Sequence, residues 1–115
     1  MVKHINLAIP NKTDPNFLAS IVKSLYANDA RLTALNLEEC SITDANMLRL
    51  ADAIGENSRL KELILATNQL TYLSMEDFSQ SLLKCTAITS LNLAENALGS
   101  EGAGILAKAF HGGLR

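Results

Sequence analysis

The sequence is short of cysteine, of charge of one sign and of long apolar runs, and each shortage removes a class of protein. Its two cysteines, Cys40 and Cys85, are too few for a disulfide framework, and the 44 residues between them give no metal-ligand spacing. Both are expected as buried, reduced thiols. Ten Lys and Arg stand against twelve Asp and Glu, a formal net charge of −2, and no window gathers the basic residues into a patch that could neutralise a phosphate backbone. Nucleic acid is therefore not an expected partner. The longest apolar runs are a few residues, as in Ile64-Leu65-Ala66, far below the roughly 20 that a membrane-spanning helix needs, so no membrane role is expected. The start, Met-Val-Lys-His-Ile-Asn followed by polar Asn11 to Asp14, lacks the basic-then-apolar build of a secretory signal.

What is present is a repeat. At 115 residues and 48% apolar composition the chain has enough material for one core, and one domain over 1–115 is expected. Leu32, Leu35, Leu37, Cys40 and Ile42 recur 28 residues later as Leu60, Leu63, Leu65, Asn68 and Leu70, and again as Ile88, Leu91, Leu93, Asn96 and Leu98. A weaker copy, Val2, Ile5 and Leu7, lies 30 residues before the first of these, with Pro10 in the place of the Cys or Asn. Four repeats follow, approximately 2–31, 32–59, 60–87 and 88–115. The fourth and sixth positions alternate with the fifth, the period of a short strand with one buried face. The later half of each repeat changes to helical spacing, with Leu50 and Ile54, Phe78 and Leu82, and Leu106 and Phe110 as i, i+4 pairs. Asp14 before Pro15, Ser74 and Ser100 are expected to mark helix starts. Such a unit cannot bury its own apolar side, so parallel copies must stack.

These residues resemble ribonuclease-inhibitor-type leucine-rich repeats, which alternate a Cys-bearing unit with an Asn-bearing one. Residues 32–43, Leu-Thr-Ala-Leu-Asn-Leu-Glu-Glu-Cys-Ser-Ile-Thr, resemble the Cys kind, and residues 91–102, Leu-Asn-Leu-Ala-Glu-Asn-Ala-Leu-Gly-Ser-Glu-Gly, resemble the Asn kind. The first repeat departs through Pro10 and two extra residues, and the third through Thr71-Tyr72-Leu73-Ser74 in place of glycines. The resemblance implies an α/β fold: a right-handed solenoid with a curved parallel sheet on its concave side and helices on its convex side.

Catalytic chemistry is not expected. The Cys40, Asn68 and Asn96 column is expected to satisfy loop backbone groups. His4 and His111 fall at opposite ends of the array, where they cannot share a metal ion. Glu38 and Glu39 lie on an open surface, without the facing geometry around a cleft that acid–base work needs. No nucleophile elbow or phosphate-cradling glycine loop occurs. The sequence thus predicts no catalytic residue, no metal and no cofactor.

The residues left for function are those that point out of the sheet. The third, fifth and seventh positions give His4, Asn6 and Ala8; Ala34, Asn36 and Glu38; Glu62, Ile64 and Ala66; Ser90, Asn92 and Ala94. The eighth position adds Ile9, Glu39, Thr67 and Glu95 as a mildly acidic rim. From this grid His4, Asn6, Asn36, Glu38, Glu62, Ile64, Ser90, Asn92 and Glu95 are the candidate partner-binding residues. A protein partner with a basic or polar surface is the match. The face holds no Trp, Tyr or Arg, the residues that dominate binding hot spots, so a merely solvated face is the alternative. Tyr72 and Leu73, on a strand-to-helix loop, either pack against a neighbouring loop or anchor a partner.

The terminal repeats lack evident polar caps, which leaves association of two copies through the ends, or a place in a larger regulator, as further expectations. The resemblance extends the latter to repeat segments of NOD-like receptors, of Ran GTPase-activating proteins or of bacterial effectors. The expected location is the cytoplasm, or a host cytosol for an effector.

Overall fold

A computed structural model describes residues 5–6, 16–85 and 87–111. Strands and helices alternate along them: β1 (Ile5–Asn6), α1 (Phe17–Tyr26), β2 (Ala34–Asn36), α2 (Asp44–Gly55), β3 (Glu62–Ile64), a 3-10 turn (Tyr72–Ser74) continuing into α3 (Met75–Lys84), β4 (Ser90–Asn92) and α4 (Gly99–His111). The strands form one parallel sheet in the order β1-β2-β3-β4, so each pairs only with its neighbours in sequence. Ile5 faces Leu35, Leu35 faces Leu63 and Leu63 faces Leu91, a register that reproduces the spacing of the leucines in the sequence. The sheet is small and does not curl, so the surface expected to be concave is an open sheet face. The physical reason is length: rotation between neighbouring units is small, and four short strands accumulate little of it.

The helices lie on the other face and close the core. Leu35, Leu37, Leu63 and Leu65 reach from the sheet to Met47, Leu50, Ile54, Phe78 and Leu82, and all belong to one continuous apolar cluster. Its side chains are almost completely sealed, which is why truncating any one of them to Ala is expected to cost about 2–5 kcal/mol. Cys40 and Cys85 are both buried, and burial raises the pKa of the Cys85 thiol above its ordinary value.

Helix starts differ from expectation in an instructive way. α2 begins with a capping box: the Thr43 hydroxyl accepts from Asn46 N at 3.3 Å while Asn46 Oδ1 accepts from Thr43 N at 3.2 Å. Ser74, expected to accept from the amides of α3, makes no such bond. Its hydroxyl is buried and donates to Asp44 Oδ1 at 2.5 Å. Ser100 already lies inside α4, which opens one residue earlier at Gly99, where φ is +65°. Asp14 and Pro15 fall outside the described residues; α1 begins at Phe17.

Candidate functional site

The loops that leave the strands are held by the predicted Cys and Asn column. Asn68 Oδ1 accepts from Cys40 N at 3.0 Å and Ile42 N at 2.9 Å, and its Nδ2 donates to Leu37 O and Leu65 O, both at 2.9 Å, and to Ala66 O at 3.2 Å. Asn96 repeats the arrangement one unit on, accepting from Leu70 N at 3.0 Å and donating to Leu65 O, Leu93 O and Ala94 O. Each carboxamide therefore bonds its own loop and the preceding one, a ladder that fixes the stacking as well as the turn. Cys40 makes the weaker version, its thiol donating to Glu38 O at 3.4 Å.

Two further stitches were missed by sequence reasoning. Asn57, 2% exposed, donates from Nδ2 to Leu25 O at 3.0 Å and accepts at Oδ1 from Arg59 N and Leu60 N, both at 2.8 Å. It ties the end of α1 to the turn before β3. The signal was available: Asp29, Asn57 and Cys85 recur at the same 28-residue spacing, and Asp29 Oδ1 accepts from Arg31 N in the same way, at 2.9 Å. The second is Asp44. Its Oδ1 accepts from Thr71 N at 3.0 Å and Ser74 Oγ at 2.5 Å, and its Oδ2 accepts from Thr71 Oγ1 at 2.5 Å. Burial pushes this carboxyl up, but the hydrogen bonds from Ser74 and Thr71 outweigh it and hold the group below its ordinary value of 3.8.

With those residues assigned to structure, the open sheet face stands out. Across it the register aligns Asn6, Asn36, Ile64 and Asn92 in one row, and Ala34, Glu62 and Ser90 in another. Glu62, Ser90 and Asn92 are exposed, as are Glu38, Glu39, Thr67, Ala94 and Glu95; Ile64 and Asn36 are half-buried. Ala34 and Ala66, expected to project into solvent, are buried, because a methyl group is shaded by longer side chains on strands only about 4.8 Å away. Asn36 and Asn92 also have a local duty. Their Oδ1 atoms accept from Glu38 N and Ala94 N, both at 3.0 Å, which closes the turn at the strand end. Their amide groups donate no hydrogen bond among the described residues. His4, Ala8 and Ile9 lie outside the described residues, and Asn6 is described only through its backbone pairing with Asn36.

The rim column has its own peculiarity. Glu39, Thr67 and Glu95 all sit at positive φ, +55°, +59° and +58°, a conformation that is strained for a β-branched residue such as Thr67. A shallow pocket at this rim is lined by Glu39, Ser41, Thr67, Asn68 and Gln69. Leu73 is 68% exposed and Tyr72 42%, and the Tyr72 backbone lies close to Gly102 of α4. Among the described residues no three His, Cys, Asp or Glu side chains gather as metal ligands, and no helix is long and apolar enough to cross a membrane.

Residues 84–107 match the family described as Leucine Rich repeat. No curated protein matches the chain. Among solved structures, a chain described as leiomodin-1 actin-binding site 2 superposes with a TM-score of 0.78 at 17% identity, covering 92% of this chain and 62% of that one. The tropomodulin C-terminal domain of Caenorhabditis elegans gives a TM-score of 0.74 at 18% identity, covering 94% of this chain and 66% of that one. The chain thus spans less than two thirds of the length of either neighbour, and at such identities the likeness is one of fold. The match over 84–107 and the fold shared over nearly the whole chain support a leucine-rich-repeat protein.

Proposed function

We propose that this is a non-catalytic protein-binding module that uses its open sheet face. The observation that carries the reading is the state of that face. One side of the sheet is sealed by helices, whereas the other presents Glu62, Ser90 and Asn92 to solvent, with two carboxamides whose donors are unspent and the half-buried Ile64 between them. The candidate contact residues are those of the sequence reading: His4, Asn6, Asn36, Glu38, Glu62, Ile64, Ser90, Asn92 and Glu95. Four carboxylates, Glu38, Glu39, Glu62 and Glu95, border the face, so a partner with a basic or polar surface complements it. A structural neighbour described as an actin-binding site lends support to protein binding as the use of this fold.

In this reading the chain is a four-repeat solenoid of the ribonuclease-inhibitor type, with repeats at 2–31, 32–59, 60–87 and 88–115, working in the cytoplasm without a cofactor. The presence of both a Cys-bearing unit, with Cys40, and Asn-bearing units, with Asn68 and Asn96, in one hydrogen-bonding column supports the subtype. A second reading, a repeat segment of a larger regulator, is favoured by the span of less than two thirds of either neighbour.

The experiment is affinity capture from a cell lysate with the native chain and with the double variant Glu62→Lys, Ser90→Lys. Both residues are exposed and neither side chain carries a hydrogen bond of the fold among the described residues. A protein retained by the native chain and lost from the variant is the expected result. Equal retention by both would remove the sheet face as the binding surface.

A further inference from the structure

Tyr72 and Leu73 break the pattern of the repeat. At the same two positions of the adjoining segments stand Asp44 and Ala45, and Ser100 and Glu101. Here an aromatic ring and a leucine meet solvent instead, and Leu73 is the most exposed large apolar side chain among the described residues. The pair has a neighbour on each side, so it is no open edge: Asp44 of α2 accepts from Thr71 N and the Ser74 hydroxyl, and a Cβ at Gly102 of α4 would lie 3.4 Å from Tyr72 Cα. Leu73 N donates to Thr71 Oγ1 at 3.2 Å, and Thr71 pairs with Ala97 in a parallel bridge. The turn that displays the two side chains is therefore pinned before and after them, and a ligand does not have to order it.

The charge around the pair is of one sign. Residues 37–47, 65–78 and 93–102, which run from each strand end into the first turn of the next helix, include no Lys, Arg or His. Asp44, Glu76, Asp77 and Glu101 sit in those first turns, where negative charge suits the helix dipole, and Glu38, Glu39 and Glu95 lie in the loops before them. The cations Lys23, Arg31, Arg59, Lys61 and Lys84 gather at the opposite end, where helices stop and strands begin. On the acidic side, the shallow pocket of about 360 Å³ lined by Glu39, Ser41, Thr67, Asn68 and Gln69 offers a carboxylate and two hydroxyls. Gln69 and Leu73 are four residues apart on one loop, a stretch that spans at most about 14 Å.

We infer that this rim docks a basic peptide segment, with an apolar side chain of the segment on Leu73 and Tyr72 and a Lys or Arg about four residues away in the Glu39 pocket. An apolar anchor supplies the contact, and the one-signed field around it selects the sign of the flanking residues. This is a second surface, across the strand-to-helix loops, and goes beyond the reading of the sheet face.

The test is selection of random phage-displayed peptides on the full chain, with depletion on the Leu73→Ser variant, followed by fluorescence polarisation of the most enriched peptide made synthetically. The expected peptides carry several Lys or Arg and one large apolar residue. Their Kd should rise by more than about tenfold with Leu73→Ser and again with Glu39→Lys, and should rise with added salt. Circular dichroism should show both variants folded as the native chain is, since both side chains are exposed. No enriched peptide, a neutral or acidic consensus, or binding indifferent to Glu39→Lys would overturn the inference. The sheet face is read separately, by the lysate capture with changes at Glu62 and Ser90.

Discussion

Replacing Asn68 with Ala tests the idea that single side chains of the ladder hold neighbouring units together. The change deletes the acceptor of the Cys40 and Ile42 amides and the donor to Leu37 O, Leu65 O and Ala66 O. Not all of these losses count equally. Leu65 O still accepts from Asn96 and Ala66 O still accepts from Glu39 N, which leaves two amides and one carbonyl without the partner they had. At about 1 kcal/mol for each such loss in a half-buried place, Asn68→Ala should cost about 3 kcal/mol. That is a large fraction of the roughly 5–15 kcal/mol that stabilises a domain. Asn96→Ala is the internal control. It deprives only Leu70 N and Leu93 O, because Leu65 O keeps Asn68 and Ala94 O keeps Thr67 N, and Leu93 lies on the open edge, so about 1–2 kcal/mol is expected. Asn68→Asp should be no better than Ala, since it turns an oxygen toward three carbonyls. Asn68→Cys should recover part of the loss by imitating Cys40. Urea unfolding followed by far-ultraviolet circular dichroism gives all four values. Equal costs at positions 68 and 96, or a tolerated Asn68→Asp, would refute the reasoning.

Other perturbations follow from the same geometry. Thr67→Asn should raise stability by about 1 kcal/mol, seen as a higher Tm, because a β-branched residue at φ +59° gives way to one that tolerates it. Two glycines of α4 should respond oppositely to Ala. Gly104 has open space, so its replacement should gain up to about 1 kcal/mol, whereas a Cβ at Gly102 would lie 2.9 Å from Leu98 Cβ and 3.4 Å from Tyr72 Cα, so that change should cost about 1–2 kcal/mol in a thermal melt. Acid should weaken the fold through Asp44. Its carboxyl is held below 3.8 when folded, so its contribution is intact above that value and disappears as the pH falls through the folded pKa. The urea midpoint should drop in that window for the native chain and drop less for Asp44→Asn.

The parts of this molecule that were legible in the sequence are those set by periodicity. Leu35, Leu63 and Leu91 announced both the strands and their register, because a parallel ladder with one buried face allows no slip. Leu50 and Ile54, and Phe78 and Leu82, announced the inner helix faces for the same reason. What stayed hidden depends on partners distant in sequence. Ser74 looks like a helix cap from its neighbours, yet Asp44, thirty residues earlier, claims its hydroxyl. Ala34 and Ala66 alternate outward but are shaded by adjacent strands. Asn36 and Asn92 were read as free contact residues, although half of each carboxamide closes its own turn. The candidate face was therefore legible as a set of positions, and the share of each side chain left for a partner was not.

Site-specific photo-crosslinking addresses the proposed function most directly. A photoreactive amino acid placed at Glu62 or Ser90 on the sheet face, and separately at Asp52 or Gln80 on the helical layer, samples two exposed surfaces of one folded chain. After irradiation in a lysate, the account predicts one dominant protein adduct from positions 62 and 90 and none of that adduct from positions 52 and 80. The same adduct arising from the helical positions, with the sheet positions silent, would contradict it.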